Sequence, residues 1–147
     1  MAHLERLLGP ELVTPDGSNV SVSTLQECEL ISLYFSAQWC PPCKGFLPNL
    51  RHCYDKVKER GKRWEVVFVS LDTDKECCQQ NFAEMPWLMV PYESALREPM
   101  PDKYGLMGIP ALVFINPKTG ETLTEEGRTI ILSDKDGDNF PWNQTPT

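Results

Sequence analysis

The sequence predicts an α/β layer fold, and three observations carry that prediction. Leu30–Ser36, Trp64–Leu71 and Ala111–Ile115 are near-continuous apolar runs rich in β-branched and aromatic residues, as strands buried on both faces should be. Residues 46–57 and 75–84, between the runs, read as helices, the first from apolar side chains at helical spacing. After the third run, Asn116-Pro117-Lys118-Thr119-Gly120 is a turn that returns the chain along Glu121-Thr122-Leu123-Thr124 as a hairpin. Strands that alternate with helices before such a hairpin pack as helix layers on a sheet.

Taken in order, residues 2–8 show a short helical pattern. Glu11-Leu12-Val13 and Val20-Ser21-Val22 flank the turn signal Pro15-Asp16-Gly17, which predicts an N-terminal hairpin over residues 10–23. Leu30–Ser36 is the first central strand. In the helix that follows, Phe46, Leu47, Leu50, Cys53, Tyr54 and Val57 fall on one side, and Arg51, Lys56, Lys58 and Arg60 mostly on the other. Gly61 is a fitting stop, and Pro48 lies inside this helix and should kink it. Trp64–Leu71 is the second central strand, and Lys75–Glu84 a short helix ended by Met85-Pro86-Trp87. Residues 94–106 look helical but contain Pro99 and Pro101. Arg128–Leu132 fits either a strand or a helix start, and Phe140-Pro141-Trp142 anchors a polar tail. With no repeat or linker, a single domain is expected across residues 1–147, with a core about 28–132 and a tail 133–147.

Composition narrows the function classes. Of 147 residues, 41% are hydrophobic and 24% charged, which suits one soluble domain with a full core. No apolar run approaches the roughly 20 residues needed to span a bilayer. Met1-Ala2-His3-Leu4-Glu5-Arg6 lacks the basic start and apolar stretch of a signal peptide, so a cytoplasmic or nuclear location is expected. Cys28, Cys53, Cys77 and Cys78 should then be free thiols, with Cys53 and one of Cys77 and Cys78 buried on helix faces. The sequons Asn19-Val20-Ser21 and Asn143-Gln144-Thr145 should go unused. A net charge of −7 argues against nucleic-acid binding, while permitting basic protein surfaces or a cationic small thiol as partners.

The chemistry is concentrated in Trp39-Cys40-Pro41-Pro42-Cys43. A Cys-x-x-Cys between an apolar strand and a helix reads as a redox dithiol. Helix N-termini offer unpaired N–H groups and the positive end of the dipole, which stabilise a thiolate and lower its pKa. Cys40 should be the exposed, attacking thiol, and Cys43, one turn on, should lie behind it. Pro41 and Pro42 have no N–H to give the sulfur, and they stiffen the loop. The competing reading is half of a structural zinc site, for which only Cys77, Cys78, His3 and His52 could complete four ligands. Asp134-Lys135-Asp136-Gly137-Asp138 superficially matches a calcium loop. Its glycine comes at the fourth place, and Thr145 stands where a glutamate is needed, so it reads as a solvated turn.

These residues resemble the thioredoxin superfamily. Trp39 precedes the first cysteine, Pro48 lies in the helix after it, and Gly108-Ile109-Pro110 immediately precedes a strand. Cys-Pro-Pro-Cys with Tyr-Phe-Ser-Ala before it and Met-Pro-Trp, Val-Pro-Tyr and Phe-Pro-Trp after it is similar to the tryparedoxin and nucleoredoxin branch, over residues 10–142. The resemblance implies a thioredoxin fold, with a central mixed sheet flanked by helices on both faces and the N-terminal hairpin as an extension. It implies Cys40 as nucleophile, Cys43 as resolving thiol, and Pro110 as a cis-proline facing them. Ile109 would offer its backbone to substrate, Trp39, Pro41 and Pro42 would border the site, and Arg128 would hold carboxylates of a glutathione–polyamine conjugate. For Arg128 a salt bridge is the other reading. Tyr34 replaces the buried aspartate of many thioredoxins and should pack with its hydroxyl bonded. Leu71 stands where tryparedoxins have tryptophan, and Lys44 where they usually have arginine.

The implied activity is thiol–disulfide oxidoreduction without an external cofactor or metal. Electrons would pass from trypanothione, glutathione or a reductase to protein disulfides, those of peroxiredoxins among them, and the protein would act as a monomer. The alternative is a nucleoredoxin-like binding protein whose dithiol switches association and turns over little.

Overall fold

The three apolar runs lie side by side in the middle of a seven-stranded sheet. In the computed structural model, which describes residues 2–142, the helices are α1 (Ala2–Leu8), α2 (Pro41–Glu59), α3 (Lys75–Phe82), α4 (Met100–Lys103) and α5 (Gly127–Ser133). The strands are β1 (Glu11–Val13), β2 (Asn19–Ser21), β3 (Leu30–Ser36), β4 (Trp64–Ser70), β5 (Leu88–Met89), β6 (Ala111–Ile115) and β7 (Thr122–Thr124). A 3₁₀ segment, Val22–Glu27, links β2 to β3. The strand order is β2-β1-β5-β4-β3-β6-β7. β3 pairs in parallel with β4 and antiparallel with β6, so the sheet is mixed. The N-terminal hairpin joins the sheet through Val13 and Met89.

Successive side chains of a strand point to opposite faces, and β3 shows why its whole run is apolar. Leu30 and Tyr34 join a core with residues of α2, α3 and α5. Ile31, Leu33 and Phe35 join a second core with α1, the 3₁₀ segment and α4. Helices therefore cover both faces, as the resemblance implied. Ser32 is tolerated in this buried strand because its hydroxyl accepts the Trp64 indole N–H at 2.9 Å. On α2, the predicted face (Phe46, Leu47, Leu50, Cys53, Tyr54, Val57) is buried, with Pro48 inside the helix. Cys53 and Cys78 are buried, and Cys28 and Cys77 are partly exposed.

Four expectations need correction or completion. Residues 94–106 hold only the short α4, because Pro99 and Pro101 remove the donors a longer helix needs. The two-residue β5 follows Trp87, and a strand that short has no readable period. Arg128–Leu132 is helical, within α5. The segment from Asp134 is a turn with Lys135, Asp136 and Asp138 exposed, as expected, and it is also strapped onto α2. The Asp134 carboxylate accepts the Asn139 N–H at 2.9 Å, the Asp138 N–H at 3.2 Å and the Trp142 indole N–H at 2.7 Å. Arg60 donates to the carbonyls of Asp136 and Gly137. Gly137 has φ +68°, and a Cβ there would overlap Val57.

The strap seats Phe140 and Trp142 on Trp64, with ring centroids 5.7 and 5.3 Å apart. Both Phe140-Pro141 and Ile109-Pro110 are cis. Asn143-Gln144-Thr145 and the end of the tail lie outside the described residues. No helix among the described residues is long and apolar enough to cross a membrane.

Candidate active site

β3 ends at Ser36, and the loop Ala37-Gln38-Trp39 carries the chain to the head of α2, where Cys40 is the N-cap. Pro41 and Pro42 occupy the first turn, where a missing N–H costs nothing. The first N–H of the helix is therefore that of Cys43, which is shared between Cys40 Sγ at 3.3 Å and the Cys40 carbonyl at 3.1 Å. Serine, threonine and aspartate oxygens fill this capping role in most helices. Here a sulfur does so, at the positive end of the helix dipole. Cys40 and Cys43 are disulfide-bonded, with Cα atoms 5.3 Å apart.

Across from the helix head lies the cis Ile109-Pro110 step, and Cys40 Sγ is 3.7 Å from the Ile109 carbonyl oxygen. Ala37, Leu71 and Ile109 pack around the two sulfurs. That packing overturns the expectation that Cys40 is the exposed member: Cys40 is 4% and Cys43 2% accessible. The exposed parts of the site are its rim, with Trp39 63% accessible and Pro41 and Pro42 also exposed. Leu71 stands directly in the apolar packing of the disulfide.

Tyr34 sits under the site, its ring against Phe46, Phe68 and Trp87 at centroid distances of 6.0–6.1 Å. Its hydroxyl was expected to be bonded. It is buried without a partner among the described residues, with Ser36 near but outside bonding geometry. Loss of water pushes the phenol up to about 12, against smaller opposing effects of Ser36 and the Arg128 charge. Tyr34 is thus held in its neutral form at physiological pH. Arg128 itself is exposed and makes no ion pair among the described residues, so the salt-bridge reading is not realised. No group of three or more His, Cys, Asp and Glu side chains among the described residues is arranged to hold a metal ion.

Sequence reading assigned no role to two buried charged residues that frame the loop. Asp72, 2% accessible, accepts the Gln38 N–H at 2.8 Å and the Ser70 hydroxyl at 2.9 Å. It thereby fixes the segment that delivers Cys40. Behind it, the Arg97 guanidinium donates to the Ser70 carbonyl at 2.7 Å and the Tyr92 carbonyl at 2.9 Å, and lies 4.1 Å from the Tyr92 ring centroid. For Asp72 the available signal was a carboxylate at the end of an apolar strand. For Arg97 there was none, because its partners are backbone carbonyls.

Comparison with known proteins agrees with this geometry. A family model described as thioredoxin-like matches residues 28–122. The chain is 41% identical to human nucleoredoxin over 143 residues, 97% of this chain and 32% of that protein. It thus spans about a third of the length of that relative. It is 40% identical to tryparedoxin of Trypanosoma brucei brucei over 114 residues, 76% of this chain and 78% of the relative. Tryparedoxin I of Crithidia fasciculata superimposes with a TM-score of 0.86 at 36% identity, covering 96% of this chain and 98% of that one. A tryparedoxin II complexed with glutathionylspermidine gives 0.85 at 27% identity, covering 95% and 98%. A capped dithiol opposite a cis-proline, on this mixed sheet and with these relatives, identifies the chain as a member of the thioredoxin-like family, related to the nucleoredoxins and tryparedoxins.

Proposed function

We propose that this thioredoxin-like oxidoreductase works as a dithiol–disulfide reductase of the tryparedoxin kind. Cys40 thiolate attacks a disulfide of another protein, a mixed disulfide forms, and one target sulfur leaves. Cys43 then attacks Cys40 Sγ and releases the second target sulfur, leaving Cys40 and Cys43 oxidised. A low-molecular-weight dithiol such as trypanothione, or glutathione, or a reductase, returns two electrons. Peroxiredoxins are a fitting class of target. Ile109 presents backbone to the incoming strand, Pro110 faces the disulfide, Trp39, Pro41 and Pro42 form the contact rim, and Arg128 meets carboxylates of the thiol donor. The protein acts as a monomer.

One observation carries this reading: Cys40 Sγ lies between the Cys43 N–H, which favours its charge, and the Ile109 backbone, which can align a target. The donor assignment draws support from the related tryparedoxin complexed with glutathionylspermidine. Four unpaired cysteines beside one redox pair suit a thiol-reducing compartment, the cytoplasm or nucleus. Two experiments test the proposal. Cys43→Ser should accumulate mixed disulfides with target proteins while Cys40→Ser traps none; equal trapping by both variants contradicts the roles. Reduction of the oxidised protein by trypanothione, by glutathione, and by thioredoxin reductase with NADPH should be fastest with one of them. No turnover with any donor leaves the dithiol as a binding switch.

A further inference from the structure

The head of α2 serves one cysteine only. With Pro41 and Pro42 lacking N–H groups, the first helical N–H, that of Cys43, is shared between Cys40 Sγ at 3.3 Å and the Cys40 carbonyl at 3.1 Å, and the next, from Lys44, goes to the Cys40 carbonyl at 3.3 Å. Yet Cys43 must also become a thiolate to attack the mixed disulfide. Burial pushes the Tyr34 phenol up to about 12, and the Asp72 oxygens accept the Gln38 N–H and the Ser70 hydroxyl.

A cavity of about 290 Å³ opens beside Cys43, and neither Cys40 nor Ile109 lines it. Its wall is polar. Gln38 Oε1 is buried there without a partner among the described residues. Pro48, which lines it, has no N–H for the Lys44 carbonyl one turn back. Lys44 and Arg51 line it as exposed cations without ion pairs among the described residues, and Glu84 is the one carboxylate in the lining. Two cations and one carboxylate thus line the cavity, with the buried Asp72 carboxylate opposing them from behind the Gln38 loop.

We propose that this cavity is where Cys43 is deprotonated for the resolving step, with Arg51 and Lys44 stabilising the thiolate. This rests on the dithiol-exchange reading above. Water entering the cavity takes the proton from Cys43 Sγ. The thiolate forms the bond to Cys40 Sγ, the bond from Cys40 to the target sulfur breaks, and the target leaves as a thiolate that takes a proton from solvent. The electrons come from the dithiol itself, so no further reductant is needed.

The test follows thionitrobenzoate release when the reduced protein meets 5,5′-dithiobis(2-nitrobenzoate). Cys28→Ser and Cys77→Ser remove the partly exposed thiols from the background. The first release reports attack by Cys40 and the second reports resolution by Cys43. Arg51→Gln should leave the first phase unchanged and slow the second by about two- to threefold at low salt, the order of one unit charge acting through water within about a Debye length. The pH midpoint of the second phase should rise, Arg51→Lys should restore it, and salt at about 1 M should erase the difference. An unchanged second phase in Arg51→Gln from pH 6 to 9 overturns the proposal, as does equal slowing in Arg51→Lys. If the first phase itself is missing, the dithiol-exchange reading fails first.

Discussion

Gly127→Ala tests how α5 is held against β6. A Cβ at Gly127 would sit 2.6 Å from the Leu112 carbonyl oxygen, 2.7 Å from the Phe114 ring and 3.0 Å from Leu112 Cγ. None of these atoms can retreat. Leu112 and Phe114 are fully buried, and β6 is paired on both sides, with β3 and β7. α5 must lift instead, loosening Ile131, which is also fully buried. Overpacking of this kind costs about 1–3 kcal/mol, and the better helix propensity of alanine offsets at most about 1 kcal/mol. A net loss of about 1–2 kcal/mol should lower Tm by roughly 2–8 °C for a domain of this size. Urea unfolding followed by tryptophan fluorescence should show a lower midpoint with an unchanged slope. A midpoint equal to or above that of the parent protein refutes the clamp.

Three further outcomes are expected. Arg97→Leu strands the buried Ser70 carbonyl and the part-buried Tyr92 carbonyl and should cost about 2–4 kcal/mol by urea unfolding, whereas a change under ~0.5 kcal/mol contradicts the brace. Asp134 is held below the ordinary carboxylate range: desolvation works against this, but the bonds from Asn139, Trp142 and Asp138 outweigh it. Its contribution is present above the unfolded pKa of about 3.9 and is lost as pH falls below that, so acid should change tryptophan emission in the parent protein and far less in Asp134→Ala. With Cys40 and Cys43 oxidised, iodoacetamide at pH 8 should spare Cys53 and Cys28, whose thiols burial pushes up to about 12 and about 11. Mass spectrometry showing rapid labelling of Cys53 in the folded protein contradicts its burial.

What could be read from sequence follows from the range of the interactions involved. β3, β4, β6 and the buried face of α2 were legible because each is a long run with one strong period. Cys40 and Cys43 were legible because their spacing and their place at a strand–helix junction are local. Burial of Cys40 was not, since Leu71 and Ile109 reach it from distant parts of the chain. Asp72 escaped notice because its partner is a backbone N–H 34 residues away. The strap from Asp134 read as solvent-exposed from its charges alone, and only packing on Trp64 and Val57 gives it a place in the core.

At the centre lies the claim that the head of α2 makes Cys40 the acidic thiol. Two effects oppose one another there. Burial at 4% accessibility disfavours the thiolate, while the Cys43 N–H at 3.3 Å and the helix dipole favour it. Thiols at helix N-termini commonly titrate between about 3.5 and 7.5, so the second effect should win. The direct measurement is the rate of Cys40 alkylation against pH in the reduced protein, read by mass spectrometry. Half-maximal reaction at or below about pH 7.5 is predicted, and a midpoint at or above that of free cysteine, about 8.5, contradicts it.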